Sequence, residues 1–491
     1  MKPITLAMDE YRDKVYACWM GKNIGGTLGA PYEGQKKLHS LTFYDPVPDK
    51  ASANDDLDFQ LVWLEMLRER GVYPTLSDFV QYWSTHLAAY PWNEYGFCMR
   101  NIARGLRPPI SGCFENYYID EMGSPIRSEI WACVAPGDPQ LAASLAWMDS
   151  AMDHAGGEGT YGEMFWAAVE SAAFVLTDPH TLIRIGLSMI PIWCRISRVI
   201  REAVWCYDNG VPWQEARERI LFNFGHNQPC HAVQNHGFTV LGWLYGKDYG
   251  DKLCTAVNCG YDTDCTGATL GSLLGILGGT KGIPQEWVQP IGDTIVLHPY
   301  TRGIDAPKTV GELTQRTVEV GKKLLESRSD SAQIGEATCL PDNLLSLLFR
   351  NERALLALSR DPQSAIVHAK GYDVALHYHG EPVLRPGVEK TIGVSVKKDD
   401  VPVPASVTIR APSNWKVQPL GEKLGQQRFV LYAEGVDDRN TIEVAATLDG
   451  AVLNATFTML GPGEARGYPA GHNVPACPKC HARAEACICE K

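Results

Sequence analysis

The feature that most constrains this chain is a pair of glycine stripes lying far apart in the sequence. From Asn258 to Gly279 the chain reads Asn-Cys-Gly-Tyr-Asp-Thr-Asp-Cys-Thr-Gly-Ala-Thr-Leu-Gly-Ser-Leu-Leu-Gly-Ile-Leu-Gly-Gly, placing Gly267, Gly271 and Gly275 four apart in a helix-like run. Near the N-terminus Gly21, Gly25 and Gly29 repeat the spacing. Residues four apart share a helix face, so each stripe leaves one face bare of side chains. A glycine inside a helix costs roughly 0.5 to 1 kcal/mol relative to alanine, and three in register imply a compensating close approach. The two stripes are expected to pack on each other.

Carboxylates flank both stripes. Asp262 and Asp264 stand two apart in a loop of small residues, and Asn54, Asp55 and Asp56 precede Leu57, Leu61, Leu64 and Leu67 at helical spacing. Asn54 is a good N-cap, and acidic residues in a first turn are favoured by the helix dipole, so capping accounts for this motif taken alone. The combination asks for more. Four carboxylates in apolar, buried-looking surroundings cannot all stay ionised without compensation, because desolvation costs several kcal/mol per ion. Two divalent cations would supply that compensation. Carboxylates together with Asn, Thr and backbone oxygens are hard ligands, suited to magnesium, manganese or calcium rather than zinc.

Three ordered pieces, Gly-x-x-x-Gly-x-x-x-Gly-x-x-x-Glu from Gly21 to Glu33, Asn-Asp-Asp at Asn54 to Asp56, and Gly-x-Asp-x-Asp from Gly260 to Asp264, resemble the ADP-ribosylglycohydrolase family. The resemblance implies an all-α domain with a binuclear magnesium (or manganese) site that hydrolyses a bond from ribose to a protein side chain or another group. It places metal ligands at Asn54, Asp55, Asp56, Asp262, Asp264 and Cys265. Glu33 joins Asp55 and Asp56 as a catalytic residue, with Tyr32 beside the substrate. Three positions depart from the family pattern: Asn54 stands for Thr, Cys265 for Thr or Ser, and Gly26 for Asp. Asn still offers a carbonyl oxygen. Cysteine is a softer ligand, with Thr266 as the neighbouring oxygen. The lost carboxylate at Gly26 suggests a remodelled substrate pocket.

Two further stretches supply candidate substrate contacts. Tyr90 to Ile130 is aromatic and rich in Gly and Pro, and as a long loop it reads as a substrate wall carrying Glu94 and Tyr95. Asp153 to Glu163 reads Asp-His-Ala-Gly-Gly-Glu-Gly-Thr-Tyr-Gly-Glu before turning helical. Its glycines are expected to offer free backbone amides to an anionic or hydroxyl-rich ligand, which singles out Gly157 and Tyr161. The family resemblance implies a histidine beside the bound sugar in such a loop, here His154; the other reading is a cap or core hydrogen-bonder. Asn235 and His236 form an analogous pair.

With 491 residues the chain exceeds one ordinary domain. Apolar residues at three- and four-residue spacings from Tyr11 to Ser359 predict an all-α domain over 1–365. Period-two segments such as Thr391 to Val396, Ser406 to Arg410 and Thr441 to Leu448 predict a β-sandwich over 366–462. The tail, 463–491, holds Cys477, Cys480, Cys487 and Cys489, which read either as a structural zinc knuckle or as incidental thiols.

A start without an apolar run, and 15 cysteines without regular spacing before the tail, fit a reducing, cytoplasmic setting. The most apolar long segment, Thr181 to Ile200, carries three arginines and reads as two buried helices broken at Pro191, so no membrane span is expected. A net charge of −12 argues against binding a nucleic-acid backbone. The expected function is a binuclear-metal-dependent glycohydrolase cleaving an N- or O-glycosidic bond of a small-molecule or ADP-ribosylated substrate, whether an ADP-ribosyl, ribosyl or other furanosyl conjugate. One rival is a non-catalytic scaffold that binds metal, carbohydrate or nucleotide; retention of four aspartates and Glu33 argues against it. The other is a metal-dependent phosphoesterase, for which no phosphate-clamping Arg or Lys stands beside either acidic motif.

Overall fold

The glycine stripes meet. Helices Met8–Gly29 and Thr263–Gly278 run antiparallel with their bare faces in contact. A β-carbon on Gly21 would strike the Gly271 carbonyl, one on Gly25 the Gly267 carbonyl, and one on Gly29 the Thr263 carbonyl. At the far end Gly275 packs on the Ala17 carbonyl, and Thr263 Oγ1 donates to Gly29 O at 2.8 Å. Backbone thus lies on backbone along the whole seam, which is the compensation the glycines required.

The computed structural model describes residues 2–466 except 91 and 449, so the four tail cysteines read as a zinc knuckle lie outside the described residues. Around the seam pack helices Asp55–Arg70, Ser128–Val134, Glu158–Ala173, Ala232–Tyr245, Tyr249–Asn258 and Val310–Arg328. Their apolar faces merge into one core in which Trp19, Trp63, Trp83, Trp131 and Trp166 are fully buried. Each such burial contributes about 1.5–3 kcal/mol.

Local chemistry sets the helix starts. Thr75 and Asp78 form a reciprocal capping box, and Asp138 and Asp178 cap helices that open on Pro139 and Pro179. The apolar segment around Pro191 is indeed divided, into Pro179–Ser188 and Arg195–Asp208. No helix among the described residues is long and apolar enough to cross a membrane.

Two expectations need correction here. The stretch from Tyr90 to Ile130 is not one long loop: it carries helix Asn93–Ala103 and the short turns Ile110–Cys113 and Pro125–Arg127. Leu106, Ile110 and Phe114 explain why, since they are buried in the core of the β-region. The helical part also contains a short parallel strand pair, Ile4–Ala7 with Ala332–Gly335, too brief to show an alternating pattern.

The C-terminal region consists of two antiparallel sheets. One has the order Ser364–Ala369, Tyr372–His377, Lys390–Lys398, Gln426–Tyr432, Lys416–Lys423, with Val401–Pro402 pairing on Lys390–Lys398. The other places Arg439–Leu448 between Ala451–Leu460 and Ser406–Arg410. Inward residues of both, including Leu376, Ile392, Val444 and Phe457, share one apolar core. Backbone joins the regions directly: Ile366 N donates to Pro108 O at 3.0 Å. Arg104 adds an ion pair to Glu464 at 3.3 Å, and an Arg439 guanidinium N–H donates to Ala103 O at 2.8 Å.

Candidate functional site

The seam delivers the acidic motifs to one place. At its end the chain leaves helix Met8–Gly29 and carries Glu33 past the loop that precedes helix Thr263–Gly278. Two backbone bonds strap these strands of loop together, Gly34 N to Tyr261 O at 2.8 Å and Tyr261 N to Gln35 O at 2.9 Å. Gly260 and Tyr261 both sit in the left-handed region, with φ of 74° and 70°, so the turn bends sharply enough to aim Asp262 and Asp264 inward. A side chain on Gly260 would strike the Lys37 carbonyl.

Helix Asp55–Arg70 brings the second motif. Asn54 Oδ1 accepts from Asp56 N at 2.7 Å, so Asn54 acts as the N-cap, the plainer of its two readings. Its amide nitrogen fills the space where a Gly26 β-carbon would sit, which explains the missing side chain at Gly26. Asp56 is fully buried; its Oδ1 accepts from Cys265 Sγ at 3.4 Å and its Oδ2 has no partner. Asp55 Oδ2 accepts from Trp92 Nε1 at 2.9 Å. Thr266, the suggested oxygen beside Cys265, turns away: its hydroxyl donates to Thr263 O at 3.2 Å. The thiol is therefore what faces the cluster.

Donor atoms gather in two trios, Glu33 with Cys230 and Asp262, and Asp56 with Asp264 and Cys265, each within a span of 4.8 Å. Asp262 is fully buried with neither oxygen hydrogen-bonded, and Asp264 Oδ1 is likewise unpartnered. Burial pushes the Asp55 carboxyl up to about 7, helped by Asp264 and Asp58. Asp264 pushes Glu33 up to about 8, with burial and Asp55 adding to it. Burial and then Asp264 raise Asp262 well above the usual carboxylate range. The buried cation that bears on Asp56 and Asp264 is Lys22, which binds Glu129 Oε1 at 2.8 Å and Ile126 O at 3.0 Å. Burial works against its charge, but Glu129 and then Asp56 outweigh burial and raise its pKa. One shared lysine cannot neutralise five carboxylates.

These shifts predict a pH dependence for the chain held in chelator. A carboxyl titrating higher in the folded state than in the unfolded state holds its proton longer when folded, so stability falls as pH rises through the folded pKa. Buried His231 and His236 push the other way only below their unfolded pKa of about 6.5, because burial holds them lower when folded. From pH 7 to 8, therefore, the melting temperature of the chelated chain should fall, whereas above pH 8 Lys390, held down to about 8 by burial, pushes the other way; a flat or rising profile from pH 7 to 8 would contradict the carboxylate assignment.

Beside the cluster lies a second buried network. Arg127 Nη1 and Nη2 donate to both oxygens of Asp153 at 2.9 Å, and Arg127 Nε lies 3.0 Å from Asp149. Asp153 Oδ1 in turn lies 3.0 Å from His154 Nδ1, leaving His154 Nε2 buried and unpartnered. Glu94 joins this flank. Burial raises its carboxyl, His154 opposes that rise, and Glu94 in turn raises Asp55. Glu94 thus lies within electrostatic reach of Asp55, and His154 within reach of Glu94.

The rest of the substrate set makes contacts within the chain. The Gly157 amide donates to His154 O at 2.9 Å, Glu158 N to Asp120 Oδ1 at 2.7 Å and Gly159 N to Ile119 O at 3.1 Å, so the expected free amides are already used within the chain. Gly157 and Gly159 are small because the Ile119 carbonyl packs against them. Tyr161 stacks edge-on with Trp193, and the Tyr32 hydroxyl donates to Asp45 O at 2.5 Å. His236 is a core residue, its Nδ1 2.7 Å from Ala232 O.

Four neighbours were missed in the sequence. Cys230 lies in a turn without ligand spacing, and Trp92 lies within the aromatic stretch without a polar motif. His298 feels Asp264, whose charge opposes the burial that lowers its pKa. Asp58 is held by Tyr90 Oη at 2.8 Å and by His298 N and Thr301 Oγ1 at 2.9 Å, which ties the 298–301 loop to the site helix.

The fold and the site together define a mostly helical domain with an acidic cluster set at the end of a glycine seam. A profile of the ADP-ribosylglycohydrolase family matches residues 7–323, and the chain belongs to that family, whose function is of glycohydrolase type. A solved chain from an ADP-ribosylglycohydrolase-related protein complex aligns at 18% identity over 64% of this chain and 99% of its own, with a TM-score of 0.39. No curated protein matches the sequence.

Proposed function

We propose that this chain hydrolyses an N- or O-glycosidic bond of an ADP-ribosyl, ribosyl or other furanosyl conjugate, and that it does so at the carboxylate cluster with two divalent ions, magnesium or manganese. The carrying observation is Asp262: fully buried, facing other carboxylates, and with only the nearby Cys265 thiol to offset its charge. A structural carboxylate in that position would be accompanied by donors. The residues fit divalent ions: Asp55, Asp56, Asp262 and Asp264 are the ligands, with Cys265 adjoining. Bound there, such ions offset the negative charge and polarise a sugar oxygen.

The chain supplies the rest. Glu33, exposed at the rim, accepts a proton from the water that attacks the anomeric carbon, and the acidic surroundings favour the positive charge developing on the sugar. Trp92 fixes one Asp55 oxygen, and Gln60 Nε2 holds the Asp56 carbonyl at 2.7 Å, so the ligands start from set positions. His154, oriented by Asp153 and Arg127, presents Nε2 toward the substrate. Every cysteine among the described residues is free, in keeping with a reducing, cytoplasmic setting.

The test is release of free ADP-ribose or reducing sugar from a panel of ADP-ribosyl, nucleoside and furanosyl conjugates, with magnesium or manganese and with chelator. Turnover of at least one conjugate, lost on chelation, is the expected result. Ion binding without turnover of any conjugate would leave a binding scaffold.

A further inference from the structure

Two sulfur atoms face the cluster, one in each trio. Cys265 comes from the first turn of helix Thr263–Gly278, and Cys230 from the turn before helix Ala232–Tyr245, where Met122 N donates to its carbonyl at 2.8 Å. The trios therefore have the same composition: two carboxylates and one thiol, with donor atoms no more than 4.8 Å apart. Ligands sharing one ion at about 2.0–2.3 Å lie at most about 4.6 Å from each other, so small side-chain movements let Cys230 share an ion with Asp262, and Cys265 share one with Asp56 and Asp264, while Glu33 stays at the rim. Independent of the sulfurs, Asp262, Asp264 and Asp56 each direct at least one buried oxygen at no donor. The neighbouring hydroxyl that could have replaced sulfur, on Thr266, is turned back into its helix.

We propose that Cys230 and Cys265 each contribute a thiolate ligand, so that the cluster takes later first-row divalent ions of the iron or cobalt kind in preference to magnesium or manganese. The inference rests on the reading that the cluster holds divalent ions at all. An all-oxygen set suits magnesium, whereas a thiolate adds a soft donor that magnesium uses poorly and later first-row ions use well. Each thiol gives its proton to solvent as its sulfur takes up the ion, so one proton is released per sulfur and nothing is oxidised or reduced.

Cobalt(II) reads the sulfur directly. The full chain carrying Cys477→Ser, Cys480→Ser, Cys487→Ser and Cys489→Ser together, so that tail thiols do not contribute, is titrated with cobalt chloride under a phosphine reductant. A saturable near-ultraviolet sulfur-to-cobalt charge-transfer band is expected. It should fall by about half on adding Cys230→Ser or Cys265→Ser and vanish with both, and the double substitution should cut the preference for cobalt over magnesium, measured by calorimetry, at least about tenfold. Cobalt binding seen by calorimetry without that band would overturn the thiolate ligands while leaving the divalent-ion reading intact. Failure of cobalt, manganese and magnesium alike to bind would remove that reading, and this inference with it.

Discussion

Gly25→Ala should cost the protein several kcal/mol and most of its site, although alanine is the better helix former. In an open helix the exchange gains about 1 kcal/mol of propensity. Here the new β-carbon falls inside contact distance of the Gly267 carbonyl carbon and oxygen, which are backbone and cannot swing aside. The helices must separate, and overpacking a tight core typically costs 1–3 kcal/mol, more where only backbone can yield. A net loss of about 3 kcal/mol is a large share of an ordinary domain's 5–15 kcal/mol. Gly278→Ala is the matched control: it is exposed at the end of the partner helix with nothing within 4 Å, so its melting temperature should hold or rise slightly. Because the seam also sets Glu33 against Asp262, Gly25→Ala should weaken ion-dependent stabilisation as well as fold stability. Equal melting temperatures for the two variants would show that the seam is not under contact strain.

How much of this was legible in the sequence follows from what each feature depends on. The glycine seam was readable because a bare helix face has one common physical use, and the carboxylates because four acids beside apolar runs need compensation. Alternating strands such as Arg439–Leu448 were readable from their period, whereas Lys416–Lys423 was not: it is exposed along nearly all its length and shows no inward set. Cys230, Trp92 and His298 reach the cluster from loops whose placement depends on the packing of other elements, so no local pattern announces them. The glycines of the 153–163 loop misled in an instructive way. Glycine marks close approach as readily as a free amide, and here the approach is to Ile119. The Arg127 network has no periodic signature either, since its acids sit at Asp149, Asp153 and Glu163 across a helix end and the next helix.

Asp262→Asn should invert the usual outcome of losing a buried charge. Breaking a compensated buried ion pair is strongly destabilising. Asp262 has no compensating cation, only the Cys265 thiol, and Asp264 and Glu33 add their negative charges beside it. Removing its charge relieves burial and repulsion together, so in chelator the variant should melt a few degrees above the natural chain, the more so as rising pH ionises more of the natural carboxylates. With saturating manganese or magnesium the order should reverse. A site that binds only the folded state adds about 2.7 kcal/mol at a hundredfold excess over Kd, and the variant forfeits most of that gain. Turnover on whichever conjugate proves to be a substrate should fall at least about a hundredfold, because several kcal/mol of charge stabilisation are lost and each 1.36 kcal/mol is tenfold. Two melting curves, with ion and with chelator, therefore separate the alternatives. A variant less stable than the natural chain in both would make Asp262 an ordinary structural carboxylate, and the crossing of the two orders is what a cation site requires.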